Sequence, residues 1–369
     1  MARTVLVTGG SGYFGSILVE RCLGQGDDVR VLDLNPSDSA AESIVADVRD
    51  LDAVRAACTG VDVVLHNVAQ VPLARDRALF WSVNVTGTAH VLLAARDAGV
   101  AKVVHTSTSA IYGVPERNPV DEETPARPLE AYGRAKLEAE ALCWQAAADG
   151  LDVSIVRPRT ILGHGRLGLM AILFELVAEG APVFVFDGGH NRYQLVHADD
   201  LADACLRAGA RPGPRAYNIG ATEFGTMRET LEAVCAVAGT GSRVRSIPSA
   251  PARLAMRGLA AVGQGPFAPY HWLLYGESLW FDTTRAQEEL GWQAQHSNAS
   301  MVIESYRWFL DHRDDLSGEG RSHHQSPLRS SRWSRNHRYD SITIDALLCW
   351  ACQPSSSCAR VVSNHNDSP

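Results

Sequence analysis

Short apolar runs recur along the first 160 or so residues, separated by stretches in which apolar positions return every three or four residues. The runs Thr4–Thr8, Val29–Leu34, Ile44–Val48, Val61–His66, Lys102–Thr108 and Val153–Arg157 read as strands. Gly15–Leu23, Leu51–Cys58, Asn84–Ala98 and Ala131–Asp149 read as helices. The strands are apolar on both faces, as happens when helices cover both sides of a sheet. Strands alternating with helices predict βαβ units and a doubly wound parallel sheet of the α/β class.

After Arg157 the rhythm changes. Pro158, Gly163, Gly165, Gly168, Gly180, Pro182, Gly188 and Gly189 crowd a short stretch. Elements continue through Leu169–Glu179, Val183–Phe186, Leu195–Ala208, Met227–Ala238 and Ala299–His312. The expected organisation is a first domain over 1–165 and a smaller α/β substrate domain over 166–316, with 195–208 crossing back to the first. The segment 317–369 is rich in Ser, Arg and His and lacks periodicity except near Ile342–Cys349, so a disordered tail is expected.

The first strand runs into Thr8-Gly-Gly-Ser-Gly-Tyr-Phe-Gly15, with glycines at Gly9, Gly12 and Gly15. Such a loop turns tightly, lets the backbone approach a pyrophosphate and lets helix and strand pack closely; the helix that follows offers free N–H groups to the phosphates. Gly12, Tyr13, Phe14 and Gly15 are the candidates for that contact. Asp33 ends the next strand, where its carboxylate can accept from the adenosine ribose hydroxyls and repel a 2′-phosphate. The combination predicts a Rossmann-type sheet with NAD as cofactor.

Tyr132 and Lys136 stand four residues apart near the start of a predicted helix, so they share one face. A phenol has an ordinary pKa of about 10, and a lysine one turn away together with a positive nicotinamide ring would lower it. The pair can then act as base on an alcohol or acid on a ketone. Thr108, at the end of the fifth strand, can hold the same substrate oxygen, with Ser107 on the cofactor side. Both elements end at the carboxyl edge of the sheet, where ligands bind in this class.

Composition narrows the field. The chain has 369 residues and a formal charge of −8, which argues against nucleic acid or an anionic membrane as partner. No apolar run reaches the roughly 18 residues of a membrane span. The start MARTVLVTGG passes directly into a strand without a signal-peptide core, so a cytoplasmic location is expected. Cys22, Cys58, Cys143, Cys205 and Cys235 stand singly and read as small buried hydrophobes. Cys349 and Cys352, followed by Cys358 and His365, have a metal-like spacing, but one loose CxxC is a weak motif and no metal is expected. His164 and His197 read as hydrogen-bonding structural residues; Trp272, Trp280 and Trp308 read as small-domain core or dimer surface.

Together the segments resemble the extended short-chain dehydrogenase/reductase family of the NAD-dependent epimerase/dehydratase type. They are TGGSGYFG (Thr8–Gly15), Asp33, ADV (Ala46–Val48), HNVA (His66–Ala69), NVTGT (Asn84–Thr88), STSAIYG (Ser107–Gly113), YGRAK (Tyr132–Lys136), RPRTILG (Arg157–Gly163) and VHADDLADA (Val196–Ala204). The resemblance implies that Asp47 and Val48 contact the adenine, that Val68 and Ala69 line the dinucleotide, and that Asn84 orders the helix beside the site. It implies Tyr132 and Lys136 as catalytic residues with Thr108 as hydroxyl partner, and a homodimer formed by helices, here through Leu92-Leu93 and Leu137–Trp144. The implied partner is a small molecule, a nucleotide sugar, with Gln70, Thr160 and Arg192 on its side of the cleft.

Two departures matter. Nucleotide-sugar epimerases of this family carry RYFN after the sixth strand, where this chain has Arg157-Pro-Arg-Thr160. They also carry an arginine at the position of Tyr193, leaving Arg159, Arg166 or Arg192 to replace it. Related 4,6-dehydratases place Asp-Glu directly after the strand-end threonine, and related decarboxylases and GDP-mannose dehydratases place Ser-Glu there, where this chain has Ser109-Ala110. Elimination is therefore poorly served, and hydride transfer remains. The first expectation is an NAD-dependent sugar epimerase that oxidises a ring carbinol transiently and returns the hydride. The alternative is a net dehydrogenase or reductase of a sterol-like, phenolic or keto-sugar substrate. A third reading, a non-catalytic NAD-binding regulator, is opposed by the intact Tyr132 and Lys136.

Overall fold

The computed structural model describes residues 2–70, 77–168, 170–250 and 276–317. The expected tail, Cys349, Cys352, Cys358, His365 and Trp272 lie outside the described residues. Seven parallel strands form the main sheet: β1 (Thr4–Thr8), β2 (Asp28–Asp33), β3 (Glu42–Val45), β4 (Val63–His66), β5 (Lys102–Thr106), β6 (Val153–Pro158) and β7 (Arg215–Ile219). Their spatial order is β7-β6-β5-β4-β1-β2-β3. The chain builds outward from β1 in one direction and then in the other, so the order reverses between β1 and β4. Ligands bind above such a switch point in open α/β sheets. At its carboxyl end Thr8 stands beside His66 in register.

Alternation along the strands divides the core. Val5 and Val7 face one side, against Leu18 and Val19 of α1 (Tyr13–Gly24) and Leu201 and Cys205 of the helix Ala198–Ala210. Leu6 faces the other side, against Val54 of α2 (Leu51–Cys58), Val91 and Cys143. A separate apolar cluster joins Phe174, Val183, Leu231, Val234, Met301, Tyr306 and Phe309, from elements after residue 160. Trp292, in the segment LGW, is fully buried and donates its indole N–H to the Asp200 carbonyl at 2.8 Å. Cys22, Cys58, Cys143 and Cys205 are buried, and burial raises all four thiol pKa values.

Several elements differ from expectation. The helix expected from Asn84 begins at Arg77 as α3 (Arg77–Trp81), passes through a π-type turn (Ser82–Thr86) and continues as α4 (Gly87–Asp97). This run, Ala78–Asp97, is long and apolar enough to cross a membrane, but Val91, Leu92, Ala94 and Ala95 spend its apolar face on the sheet. Leu92 is thus a core residue, only 6% exposed, and is not free for a dimer surface; Trp81 and Trp144 are the exposed tryptophans among the described residues. β5 ends at Thr106 rather than Thr108, because the Thr108 hydroxyl accepts from the Ala110 N–H and opens a short helical turn, Ser109–Tyr112. β3 ends at Val45, so Val48 lies past it, buried against Gly87. β7 went unanticipated; it pairs with β6, so the chain's return to the main sheet extends beyond residue 208. Trp308 packs against the third cluster, and Trp280 lies beside Arg192.

The helix α5 (Ala131–Ala148) starts where Glu130 accepts from the N–H groups of Tyr132 and Gly133, both at 2.6 Å. A carboxylate there satisfies unpaired donors and suits the helix dipole. Tyr132, Lys136 and Glu140 follow along one buried face. Glu140 takes the Arg157 guanidinium of β6 at 2.6 Å, and Arg157 also donates to the Tyr112 hydroxyl at 2.8 Å. Both members of this ion pair are buried. Glu140→Ala would leave Arg157 buried and unpaired and is expected to cost about 3–5 kcal/mol of stability, read from urea unfolding.

Candidate active site

The glycine loop has no room for side chains. Gly9 sits at φ 74°, and a Cβ there would come within 3.0 Å of the Val68 nitrogen. At Gly15 a Cβ would lie 1.9 Å from the Gly9 carbonyl oxygen. Gly12 caps α1 with no side chain closing its first turn, so the helix N-terminus is open. These features fit a dinucleotide pyrophosphate. Phe14 is a core residue, so only its backbone can face that ligand. Tyr13 is half-buried under the Arg166 guanidinium, 5.6 Å from its ring centre. Asp33 caps the loop from the next strand, accepting from the N–H groups of Ser11 at 3.2 Å and Asn35 at 3.0 Å. Asp47 pairs with Arg49 at 2.5 Å, and that hydrogen bond holds its carboxyl below the usual range.

Asn84 reaches further than expected. From its π-type turn the side chain accepts from the Gln70 N–H at 2.8 Å and donates to the Gln70 carbonyl at 3.1 Å. From within the helix beside the site it therefore pins the loop that carries Val68, Ala69 and Gln70.

Thr108 hydrogen-bonds the Tyr132 hydroxyl. Tyr132 is 8% exposed, with Phe80 edge-on to its ring. Burial pushes its phenol up to about 12; the Thr108 hydrogen bond and the Arg166 charge act in the opposite sense. The Lys136 Nζ donates to the Thr106 carbonyl at 2.7 Å and lies 3.1 Å from His105 Nε2. Burial brings this lysine down to about 8, against the charges of Cys143 and Glu140. Ser107 is buried with no hydrogen bond on its hydroxyl.

The positions without acids have other occupants. Ser109 accepts from Arg159 Nη1 at 2.9 Å, and Arg159 lies over the rings of Tyr193 and Phe281. Ala110 packs with Phe80, Tyr132 and Ala135. Thr160 is hydrogen-bonded to the Tyr193 hydroxyl at 2.6 Å. The Arg192 guanidinium lies 4.6 Å from the Phe224 ring and 4.7 Å from the Trp280 ring, a packing role the sequence did not suggest.

Donor atoms of His197, His296 and Glu304 lie within 4.8 Å of one another, the one such group among the described residues. They do not converge. The two imidazoles are stacked at 3.8 Å with an interplanar angle of 19°, so their in-plane lone pairs run nearly parallel. His197 Nδ1 accepts from the Asp199 N–H at 3.2 Å and caps the helix Ala198–Ala210, which puts the ring proton on Nε2, toward Glu304. His164 also meets Glu304, at 2.7 Å.

Sequence reasoning did not single out His66, His105, Glu140 or Arg157. Their signal was a polar residue inside an apolar run, or one more turn of helix beyond Tyr132 and Lys136.

A doubly wound sheet with an open glycine loop at its switch point and a Thr–Tyr–Lys cluster beside it defines a nicotinamide-dinucleotide enzyme. The chain belongs to the NAD dependent epimerase/dehydratase family, whose pattern matches residues 5–220, and NAD is its cofactor. It is 50% identical over 333 residues to the "Uncharacterized protein y4nG" of Sinorhizobium fredii, covering 89% of this chain and 84% of that protein. Its identity to a UDP-glucose 4-epimerase of Mycolicibacterium smegmatis is 32% over 329 residues, covering 82% of this chain and 97% of the relative. In structure it resembles MoeE5, solved in complex with UDP-glucose and NAD, with a TM-score of 0.68, 24% identity, and coverage of 84% of this chain and 99% of that one.

Gly15→Ala must displace the Gly9 carbonyl. NAD affinity measured by calorimetry is expected to fall at least about tenfold, which corresponds to ~1.4 kcal/mol.

Proposed function

We propose that the protein is an NAD-dependent epimerase of a nucleotide-activated sugar. One observation carries this reading: Thr108 acts on the Tyr132 hydroxyl, Lys136 is buried one turn along the same helix, and no carboxylate stands at positions 109 and 110. Bound NAD supplies a reversible hydride acceptor and a positive ring. Tyr132 takes the hydroxyl proton of the sugar as the carbinol is oxidised, and Thr108 holds the oxygen. The keto-sugar turns within the cleft, and Tyr132 returns the proton as the carbon is reduced on its other face. Atoms balance without an external acid, base or oxidant. In this reading the main sheet holds the cofactor and the third apolar cluster backs the sugar. Gln70, Thr160 and Arg166 meet the substrate, and the hydroxyl of Ser109 positions Arg159 toward its diphosphate. The UDP-glucose 4-epimerase relative supports a UDP-hexose.

A second reading, net oxidation or reduction of a different alcohol or ketone, draws on the arginines. The Arg192 guanidinium lies against Phe224 and Trp280, which favours a substrate without the diphosphate of the family's epimerases.

The two readings separate on UDP-glucose and UDP-galactose, with product followed by chromatography and absorbance followed at the NADH band. Interconversion without net NADH supports the epimerase, and NADH accumulating in step with product supports the second reading. Because burial holds the Tyr132 phenol near 12, its base form grows with pH, so activity is expected to rise from acidic toward neutral pH. Tyr132→Phe is expected to lower kcat by at least about 100-fold with NAD affinity retained.

A further inference from the structure

Lys136 is the buried cation of the site, 1% exposed. Among the described residues no carboxylate forms an ion pair with it, since Glu140, one turn along, is taken by Arg157. Its hydrogen bonds go instead to two neutral groups, the Thr106 carbonyl at 2.7 Å and His105 Nε2 at 3.1 Å. An ammonium can only donate. His105 Nε2 must therefore accept, and the single proton of the neutral ring sits on Nδ1, which is buried and has no hydrogen-bond partner. Leaving a buried donor unpaired is costly, so the bond to Lys136 selects this tautomer against the ring's other demand.

A second histidine stands behind the first, its ring centre 5.2 Å away. The Thr88 hydroxyl donates to the Asn84 carbonyl at 2.7 Å, so it accepts from His66 Nε2–H at 2.9 Å. The Thr8 hydroxyl then donates to His66 Nδ1 at 2.7 Å. His66 is fixed as a neutral ring, and burial keeps it so, with a pKa near 3. The groups facing Lys136 are thus His105 from β5, His66 from β4, and Glu140 and Cys143 from its own helix.

We propose that His105 is a positioning residue for hydride transfer: its neutral Nε2 fixes the direction of the Lys136 ammonium, and with it the positive charge available at the Tyr132 oxygen. With one N–H on the Thr106 carbonyl and one on His105, a single N–H remains for the cleft. The inference rests on Tyr132 and Lys136 being the catalytic pair.

Two variants test it. His105→Phe keeps a ring and removes the acceptor; His105→Gln places a carboxamide oxygen within reach of the Nε2 position. Without the acceptor the charged lysine is less stable and loses its proton at lower pH. For His105→Phe the alkaline limb of the kcat profile should move down by about half a pH unit or more, and kcat should fall about tenfold, with KM and NAD affinity within about twofold. His105→Gln should restore both. A His105→Phe profile that superimposes on wild type, or a His105→Gln enzyme as impaired as His105→Phe, overturns the proposal. Nitrogen-15 NMR of the wild-type imidazoles gives a reading independent of turnover. An unprotonated His105 Nε2 whose signal moves in Lys136→Met supports the proposal, and a protonated Nε2 overturns it. If the wild type interconverts no sugar, the epimerase reading fails while the NMR result still decides the contact.

Discussion

The Glu140–Arg157 ion pair sets the position on which the chemistry depends. It joins α5 to β6 with both charges out of water, and Arg157 extends the tie to Tyr112. A buried pair of this kind is weak evidence of net stability, because removing two ions from water costs much of what their attraction returns. Its effect is on geometry. A helix bearing Tyr132, Lys136 and Glu140 on one face can slide or roll against a smooth apolar sheet. Two hydrogen-bonded charges, with Glu130 capping the first turn, leave it one register. In that register Tyr132 meets Thr108, and Lys136 meets the end of β5.

The second constraint lies at the switch point, where side chains rather than water satisfy the strand ends. Thr8, His66, Thr88 and Asn84 form a directed chain of hydrogen bonds from the glycine loop to the loop after β4. Thr8, His66 and Thr88 each donate once and accept once, and Asn84 accepts at its carbonyl and binds Gln70 through its side chain. The floor of the site is therefore neutral as well as rigid, and Lys136 is the charge standing on it.

Local patterns in the sequence carried much of this. Glycines at three-residue intervals between a strand and a helix mark the loop, and a four-residue spacing puts Tyr132 and Lys136 on one face whatever surrounds them. Strand runs were legible because both faces of the sheet are covered. What was hidden depends on residues far apart in the chain. Nothing in KVVHT says that His105 will meet a lysine 31 residues later. Burial, a tertiary property, decides that the Tyr132 phenol is raised and that Lys136 turns to Thr106 and His105. The packing of Arg192 against Phe224 and Trp280 was hidden because those aromatic neighbours are brought up from distant segments. β7 was hidden because ARPGPRAYNIG carries its apolar residues in too short a run to stand out.

Serine and alanine after the strand-end threonine give the site its chemical character. Ser109 serves Arg159 and Ala110 serves the packing around Tyr132, so neither position is spare for an acid. A site with one phenol, one hydroxyl and one ammonium can move a proton on and off oxygen while a hydride leaves and returns. The most direct measurement uses a UDP-hexose carrying deuterium at the reacting carbon. Transient oxidation predicts that the epimer keeps the label at that carbon with no solvent hydrogen introduced. Release of the label into free NADH, or solvent hydrogen appearing in the product, would contradict it.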